Sequence, residues 1–419
     1  MRILFVSNYY PPLEVGGYEQ VCRDVAERLV TRGHSVRVLT SNYGARSRPD
    51  DEPSYIRREL RLQIDYDSRG KVPCQMLWRR PRAGYLDRNV LHREIADFGP
   101  DVVFFWNQHG LPRSLASEAE ARADVGVAFW LAGYNPAAPD EYWHYWSASR
   151  RTRAGKALDA LVRRHVLSYL GNQASARRPA MRHVAVVSEY YRREGVKEGT
   201  LPAHARVIYN GIEAEHFYHP IAPEPAGDLW LLQAGRVGPD KGVHLAIDAL
   251  GRLVGRHPDI PVRLRIAGSG AADYVAGLHE MVRHQSLDDR VLFLGRLPRN
   301  KIPDVMASSH VLLLPSVVEE AFARVVLEAM ASGLATIAAN SGGTPEIVEH
   351  DVSGLLFVPG SSADLSVQIE RLLTEPGLRS RLAEEGQRRA LGRFTMDRMV
   401  DEIEIFLAEA AEGQRRELA

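Results

Sequence analysis

The sequence contains little cysteine, carries no net charge and has no long hydrophobic run. Only two cysteines occur in 419 residues, and Cys22 and Cys74 lack the close spacing of a disulfide framework or a zinc site. Lysine plus arginine and aspartate plus glutamate are equal at 53 each, so no overall field attracts nucleic acid. No segment reaches the roughly 18 apolar residues of a membrane span, and none resembles an export signal. These absences predict a cytoplasmic protein without a metal cluster.

The chain instead alternates short apolar runs with amphipathic stretches. Its length of 419 residues suits two domains of roughly 200 residues each. The first forty residues are typical of a βαβ unit, with paired glycines where the helix begins. A proline-rich connection, HPIAPEPAGD, occupies residues 219–228, and strands and helices alternate more regularly after it. This pattern predicts an α/β fold with a doubly wound sheet in each domain.

Three motifs follow one another in the second domain. The first, GRVGPDKG, places Arg236 and Lys241 on a glycine-rich turn between a strand and a helix. Two cations on such a turn suit a diphosphate. An ordinary charged surface turn explains this motif equally well when it is taken alone.

The second motif, VLLLPSVVEEAFARVVLEAMASG, predicts a buried strand, a loop with Glu319 and Glu320, and a helix. Unpaired amide groups at the helix start, near Phe322, Ala323 and Arg324, can hold an anion. Glu328 lies about one turn inside the helix, where its carboxylate can accept from paired hydroxyl groups. The alternative is that these glutamates are solvated residues favoured by the helix dipole.

The third motif, SGGTPEIVEHDVSGLLF, begins at Ser341 and predicts a short helix from about Glu346. Its paired glycines, Gly342 and Gly343, indicate either a close approach to another part of the backbone or a simple tight turn.

In this order, and together with PPxxGG near the start and NGI at residues 210–212, the motifs resemble those of the retaining GT-B glycosyltransferases of the group 1 and family 4 type. The resemblance implies two Rossmann-like doubly wound domains that face each other across a cleft. Residues 1–215 would bind the acceptor, residues 225–395 would bind a nucleotide-sugar donor, and the amphipathic stretch 396–419 would be a helix that packs back on the first domain.

The same resemblance implies roles for individual residues. Arg236 and Lys241 would bind the donor diphosphate and stabilise the negative charge that grows as the sugar departs, in place of a metal ion. Glu320 would hold hydroxyl groups of the transferred sugar, and Glu328 would hold the ribose. The remaining donor-binding candidates are Gly16, Gly17, Arg296, Phe322, Ala323 and Arg324. The donor would be a UDP or GDP sugar, no cofactor is expected, and no general base is nominated.

The chain departs from the family pattern in two places. The usual EGFG is replaced by EAFA, with Ala321 and Ala323, whose methyl groups would narrow the pocket or move the backbone contacts. A histidine expected after the fourth strand of the first domain is missing, because Trp130 and Leu131 stand near that place. The alanines of EAFA bear on the choice of donor, and both departures keep a binding protein without turnover open as an alternative.

The sequence gives weaker signals for residues that would contact the acceptor than for those that would bind the donor. Asn107 and His109 follow an apolar strand, and open α/β sheets bind ligands at the carboxyl ends of their strands. A histidine satisfied within a loop is the more common case. The acceptor would be a glycan, a lipid-linked carrier or a small natural product.

Residues 150–182 are rich in arginine and follow a cluster of aromatic residues, so they are candidates for peripheral contact with an anionic membrane at its inner face. A solvated basic helix is the simpler interpretation.

Two alternatives to the transferase stay open at this stage. A nucleotide-sugar epimerase would share the architecture, and a nucleotide-sugar-binding protein without turnover would share the site. A dinucleotide oxidoreductase is disfavoured because the first loop is PPLEVGG and not GxGxxG.

Overall fold

The computed structural model of the chain consists of two compact units. It describes residues 1–13, 16–43, 52–63, 72–133, 135–137, 165–168 and 178–418. The first unit contains residues 1–187, 192–208 and 400–419, and the second contains residues 188–191 and 209–399. Each unit is built around one parallel sheet, as the alternation of strands and helices predicts.

The first unit has a seven-stranded sheet with the order β3-β2-β1-β4-β5-β6-β7. Its strands are β1 (Arg2–Ser7), β2 (Ser35–Ser41), β3 (Ile56–Leu60), β4 (Val102–Asn107), β5 (Gly126–Leu131), β6 (Val184–Val186) and β7 (Arg206–Val207). The helices are α1 (Gly17–Thr31), α2 (Val72–Phe98), α3 (Ser114–Glu120) and α4 (Glu189–Lys197), whose first three residues belong to the second unit.

Continuous apolar strands form the centre of this sheet, as is typical of parallel sheets that are buried on both faces. The strand β5 is buried along its whole length. The indole rings of Trp106 and Trp130 stack with their centroids 4.3 Å apart, and the Trp130 indole N–H donates to the carbonyl of Ile208 at 3.2 Å. The aromatic residues of β4 and β5 are therefore core residues.

The second unit has a six-stranded parallel sheet with the order β10-β9-β8-β11-β12-β13. Its strands are β8 (Leu229–Ala234), β9 (Val262–Ala267), β10 (Val291–Gly295), β11 (Val311–Leu314), β12 (Ala335–Ala339) and β13 (Leu355–Phe357). Its helices are α5 (Ala214–Phe217), α6 (Val243–Arg256), α7 (Ala272–His284), α8 (Ile302–Ala307), α9 (Arg324–Ala331), α10 (Thr344–Ile347), α11 (Ser362–Thr374) and α12 (Leu378–Arg393).

The helix α6 shows how the second core is built. Val243, Ile247 and Leu250 recur at helical spacing and are fully buried, so one stripe of the helix packs on the sheet. The proline-rich stretch 219–228 is anchored within this unit, since Glu224 accepts from the buried Arg379 guanidinium at 3.1 Å.

The long helix α13 (Met396–Leu418) crosses from one unit into the other, because residues 400–419 cluster with the first. A Cβ atom added to Gly126 would lie 2.6 Å from the carbonyl oxygen of Ala410, so this glycine allows the helix to approach β5 closely. Arg32 also forms an ion pair with Glu404 at 2.8 Å. Among the described residues, no helix is long and apolar enough to span a membrane.

Candidate functional site

The three motifs of the second unit meet where its strand order reverses. The strands β8 and β11 are neighbours in the sheet although three helices and two strands separate them in the chain. In open α/β sheets the crevice at the carboxyl ends of two such strands is the usual ligand site. Arg236 follows β8, and Glu320 follows β11, so both lie at this crevice.

Backbone contacts hold the two loops together. Gly242, with φ of +64°, ends the 3-10 turn Pro239–Lys241 and begins α6. A Cβ atom on Gly242 would lie 1.8 Å from the carbonyl oxygen of Pro315. The backbone N–H of Val317 donates to the carbonyl of Asp240 at 2.9 Å. Because a glycine is required at this contact, the turn after β8 is built to fit the loop after β11.

Both cations of the first motif are paired with carboxylates. The Lys241 ammonium donates to Glu320 Oε1 at 2.5 Å, and the Ser316 hydroxyl donates to the same oxygen at 2.7 Å. Arg236 pairs with Asp240 on the same turn, and its side chain is 54% exposed. Two cations, each paired with its own carboxylate, thus stand at the crevice, where an incoming anion can compete for them.

Glu328 is a buried carboxylate within α9, with its side chain 8% exposed. Its Oε1 accepts from the Arg299 guanidinium at 3.1 Å and lies 3.6 Å from that of Arg324. A carboxylate has about four lone-pair sites, so these two arginines orient the group and leave it able to accept further hydroxyl donors.

The alanines of EAFA fit the loop without backbone strain. Ala323 is the N-cap of α9, with φ of −82° and ψ of 91°, and Ala321 is not among the residues with positive φ. Any residue adopts such angles, so loss of both glycines does not by itself displace the backbone. Phe322 is buried, and its ring centroid lies 5.6 Å from that of Tyr209.

The paired glycines of the third motif make a close backbone approach. Cβ atoms at Gly342 and Gly343 would lie 2.4 and 2.2 Å from the carbonyl oxygens of Glu320 and Ala321. The backbone N–H of Gly343 donates to the Glu320 carbonyl at 2.8 Å. The helix that follows, α10, begins at Thr344, two residues before the expected start, because Pro345 suits the first turn of a helix.

Arg296 lies apart from these loops. It is exposed and follows β10, the edge strand, which β9 separates from β8. Arg299, in the next turn, is the residue whose guanidinium reaches Glu328. Sequence reasoning missed Arg299 and also Asp240. The i,i+4 spacing of Arg236 and Asp240 was the only signal for the second of them.

The candidate residues of the first unit are described within that unit. The backbone N–H of Gly16 donates to the buried carboxylate of Glu19 at 3.0 Å, and Gly17 is the first residue of α1. His109 follows β4, and its carbonyl accepts from the Asn8 amide at 3.0 Å. The side chain of Asn107, the last residue of β4, lies outside the described residues.

Asn8 follows β1, which pairs with β4 at the strand reversal of the first sheet. The structure places His109 two residues after the end of β4, whereas its contact with an acceptor stays a prediction. Because the predicted strands omitted β3, the strand that ends in Trp130 and Leu131 is the fifth in this unit and not the fourth.

Most of the arginine-rich stretch 150–182 lies outside the described residues, so its membrane role stays a prediction. Across the described ranges, no group of three histidine, cysteine, aspartate or glutamate side chains is placed to bind a metal ion.

The fold is shared with solved structures that match the chain over nearly its full length. The structure of HepE from Anabaena, in complex with UDP, matches with a TM-score of 0.70 and 23% identity over 98% of this chain and 100% of that one. Two curated relatives match over most of their length. The glycosyltransferase MJ1607 of Methanocaldococcus jannaschii is 24% identical over 420 residues, 96% of each chain. A glycogen synthase of Mycobacterium tuberculosis is 26% identical over 441 residues, 99% of this chain and 96% of the relative.

Two Rossmann-like units with parallel sheets and these structural neighbours define the GT-B class of fold. Family models identify the two parts more narrowly. Residues 15–216 match the model described as Glycosyltransferase Family 4, and residues 215–389 match Glycosyl transferases group 1. Together the two matches span residues 15–389, so each part of the chain matches a glycosyltransferase domain.

Proposed function

We propose that the chain transfers a sugar from a UDP or GDP sugar to a carbohydrate-containing acceptor, with retention of anomeric configuration and without a metal ion. The observation that carries this proposal is the crevice between β8 and β11, where Arg236, Lys241 and Glu320 stand together. HepE, which shares the fold, was solved with UDP and with UDP-glucose.

The two cations would act on the leaving group. As the bond between the anomeric carbon and the phosphate oxygen breaks, negative charge grows on the diphosphate. Lys241 is already held by Glu320, whose carboxylate also accepts from the Ser316 hydroxyl, so little reorganisation is needed when a phosphate oxygen takes the place of this carboxylate. Arg236 is half exposed and would move from Asp240 to the phosphate. This arrangement favours the state in which the charge is largest.

The two glutamates would hold hydroxyl groups at the two ends of the donor. Glu320 lies beside Lys241 and would accept from the transferred sugar, while the buried Glu328 would accept from the ribose. Amide groups of Phe322, Ala323 and Arg324, at the start of α9, would meet the phosphate and sugar. Arg299 would position Glu328 without touching the donor.

We assign no covalent nucleophile. In the proposed reaction the acceptor hydroxyl oxygen bonds to the anomeric carbon while the bond from that carbon to the phosphate oxygen breaks. The departing phosphate oxygen takes the proton of the acceptor hydroxyl. The acceptor would be held by the first unit near Asn107 and His109. Contact with a membrane through residues 150–182 is a separate proposal, and liposome binding that weakens steeply with salt would support it.

A thermal-shift screen in EDTA against UDP, GDP, ADP, TDP and their sugar conjugates tests the donor half. A selective rise in melting temperature for UDP or GDP is expected, because a ligand stabilises the state that binds it. No stabilisation by any nucleotide would contradict the proposal. Proton NMR of the product distinguishes retention from inversion, and a changed sugar configuration in the donor without acceptor would identify an epimerase.

A further inference from the structure

The first unit contains an open pocket of about 360 Å³ that none of the assigned roles uses. It lies between the β1–α1 loop, one side of α1 and the segment that leads into β3. Its lining includes Tyr10, Pro11, Arg23, Glu27, Glu52 and Tyr55. This volume is at the lower end of the range of about 300–1,000 Å³ that is typical of small-molecule sites.

The pocket contains a buried tyrosine hydroxyl that interacts with the hydroxyl of Tyr55. Tyr10 is 1% exposed, and among the described residues its hydroxyl group has no hydrogen-bond partner of ordinary geometry. Burial raises the pKa of Tyr10, and burial also raises that of Tyr55. Both phenols are therefore protonated donors at neutral pH. A buried hydroxyl whose hydrogen bond is poorly formed costs free energy, and a ligand oxygen that accepts from the tyrosine hydroxyls would recover part of it.

The charged groups of the pocket disfavour an anion. Arg23 is already engaged by Asp24 at 3.3 Å and lies 3.9 Å from Glu27. Glu52 is held by the Arg58 guanidinium at 2.7 Å. The lining thus presents carboxylates and an arginine that are already paired, which can accept from and donate to hydroxyl groups but supply no excess positive charge for a phosphate.

The remaining surfaces are rings of proline and tyrosine, which suit the C–H face of a sugar ring. We propose that this pocket binds one neutral, polyhydroxylated ring of the acceptor, a hexose or a cyclitol without an anionic group. The assignment of that ring to the acceptor rests on the proposed transferase function.

Saturation-transfer difference NMR tests the pocket with methyl glucoside, methyl galactoside, methyl mannoside and myo-inositol as probes, and with glucose 6-phosphate as the anionic comparison. We expect at least one neutral probe to bind and glucose 6-phosphate to bind more weakly. Tyr10→Phe, which removes only the hydroxyl group, should weaken the neutral probe about three- to tenfold. Tyr55→Phe should have a smaller effect in the same direction.

The matched control is Tyr218→Phe, since Tyr218 is 54% exposed and lies in the second unit. It should bind the probe as the parent chain does. Absence of binding by every neutral probe, stronger binding of glucose 6-phosphate, or equal binding by Tyr10→Phe would overturn the proposal. A signal that survives Tyr10→Phe but is lost in Glu320→Gln would belong to the donor site and would also overturn it.

The nucleotide screen on the same protein distinguishes failure of the pocket proposal from failure of the transferase proposal. Stabilisation by UDP or GDP without binding of a neutral ring would overturn only the pocket. Binding of a neutral ring that depends on Tyr10, without stabilisation by any nucleotide, would contradict only the transferase.

Discussion

The two units share a doubly wound sheet but hold their strand-end loops in different ways. In the second unit, the loops after β8 and β11 contact each other through backbone atoms at Gly242, and Lys241 is paired with Glu320. In the first unit, Gln108 follows β4 and is 1% exposed. Within the described residues, neither amide atom of its side chain has a hydrogen-bond partner.

This difference bears on the role of the second unit. In the second unit, Lys241 and Glu320 already hold each other in place, as a preorganised binding site requires. Among the described residues, buried side-chain amides without a hydrogen-bond partner occur in both units, at Gln108 in the first and at Asn210 in the second, so the contrast lies in the paired charges of the second unit. We infer that the charged crevice of the second unit is preorganised for one class of anionic ligand.

The largest expected effect comes from breaking the charged site of the second unit. Lys241→Ala removes a cation that would stabilise the leaving diphosphate, and kcat should fall about 10²- to 10³-fold, or about 2.7–4 kcal/mol. Steady-state kinetics with the donor identified by the nucleotide screen checks this. Lys301→Ala is the matched control, because Lys301 is 61% exposed and pairs only with Asp304 among the described ion pairs. Equal losses of kcat in Lys241→Ala and Lys301→Ala would contradict the role of Lys241 in stabilising the leaving diphosphate.

The second prediction concerns the glycine that joins the two loops. Gly242→Ala introduces a methyl group 1.8 Å from a carbonyl oxygen at a φ of +64°, so we expect a loss of more than about 3 kcal/mol in stability. Gly33 in the first unit also has a positive φ of +87°, but no atom lies within 4 Å of its added Cβ. Gly33→Ala should therefore cost only about 1–2 kcal/mol. Urea denaturation of the two variants measures the contrast, and similar losses would mean that the loop contact is weak.

The third prediction concerns a buried carboxyl group of the first unit. Burial raises the pKa of Asp87 to about 7, although the backbone N–H of Arg61 and its guanidinium oppose the shift. The folded chain holds this proton more tightly than the unfolded chain, so stability is lost as pH rises from about 4 to about 7. Asp87→Asn cannot ionise and should gain about 1–3 kcal/mol relative to the parent between pH 5 and pH 8.

Urea midpoints of the parent and Asp87→Asn at several pH values provide the measurement. Asp97→Asn, on the same helix but exposed, is the control and should leave the pH dependence unchanged. A parent stability that does not vary with pH relative to Asp87→Asn would show that Asp87 is ionised in the folded chain throughout this range.

The smallest expected change in stability is that of a substitution in the altered EAFA loop. Ala323 already has an extended backbone at the N-cap of α9. Ala323→Gly should change stability by less than about 0.5 kcal/mol, since glycine is favoured at the N-cap but gains freedom in the unfolded chain. Comparing donor sugars by kcat/KM would then show whether the methyl group alone restricts the donor. A large loss of stability would mean that the alanine packs in a way that the angles do not reveal.

The motifs of the second unit could be predicted from sequence because glycine, proline and charge occur there at fixed spacings. The positions of Arg236, Lys241 and Glu320 around one crevice follow from the order of strands and loops. The ion-pair partners of these residues could not be predicted from the sequence, because Lys241 and Glu320 lie on loops 79 residues apart in the chain.

The strand β3 could not be predicted for a different reason. Ile56 and Leu60 are its buried apolar ends, and Arg58 takes the inward position between them. The Arg58 side chain is only 3% exposed because Glu52 pairs with it and the carbonyl of Pro11 accepts from it at 2.8 Å. A charged residue at an inward position interrupts the alternation of apolar and polar residues that indicates a strand. The pocket beside Tyr10 depends on the same segment and was missed with it.

The course of α13 has a consequence for how the chain is made. The first unit needs residues 400–419, and these leave the ribosome only after the whole second unit has been synthesised. Domains generally fold as units during synthesis, beginning with the N-terminal one. Here the surface of β5 around Gly126 stays uncovered while the second unit folds, so the first unit is completed last although its synthesis begins first.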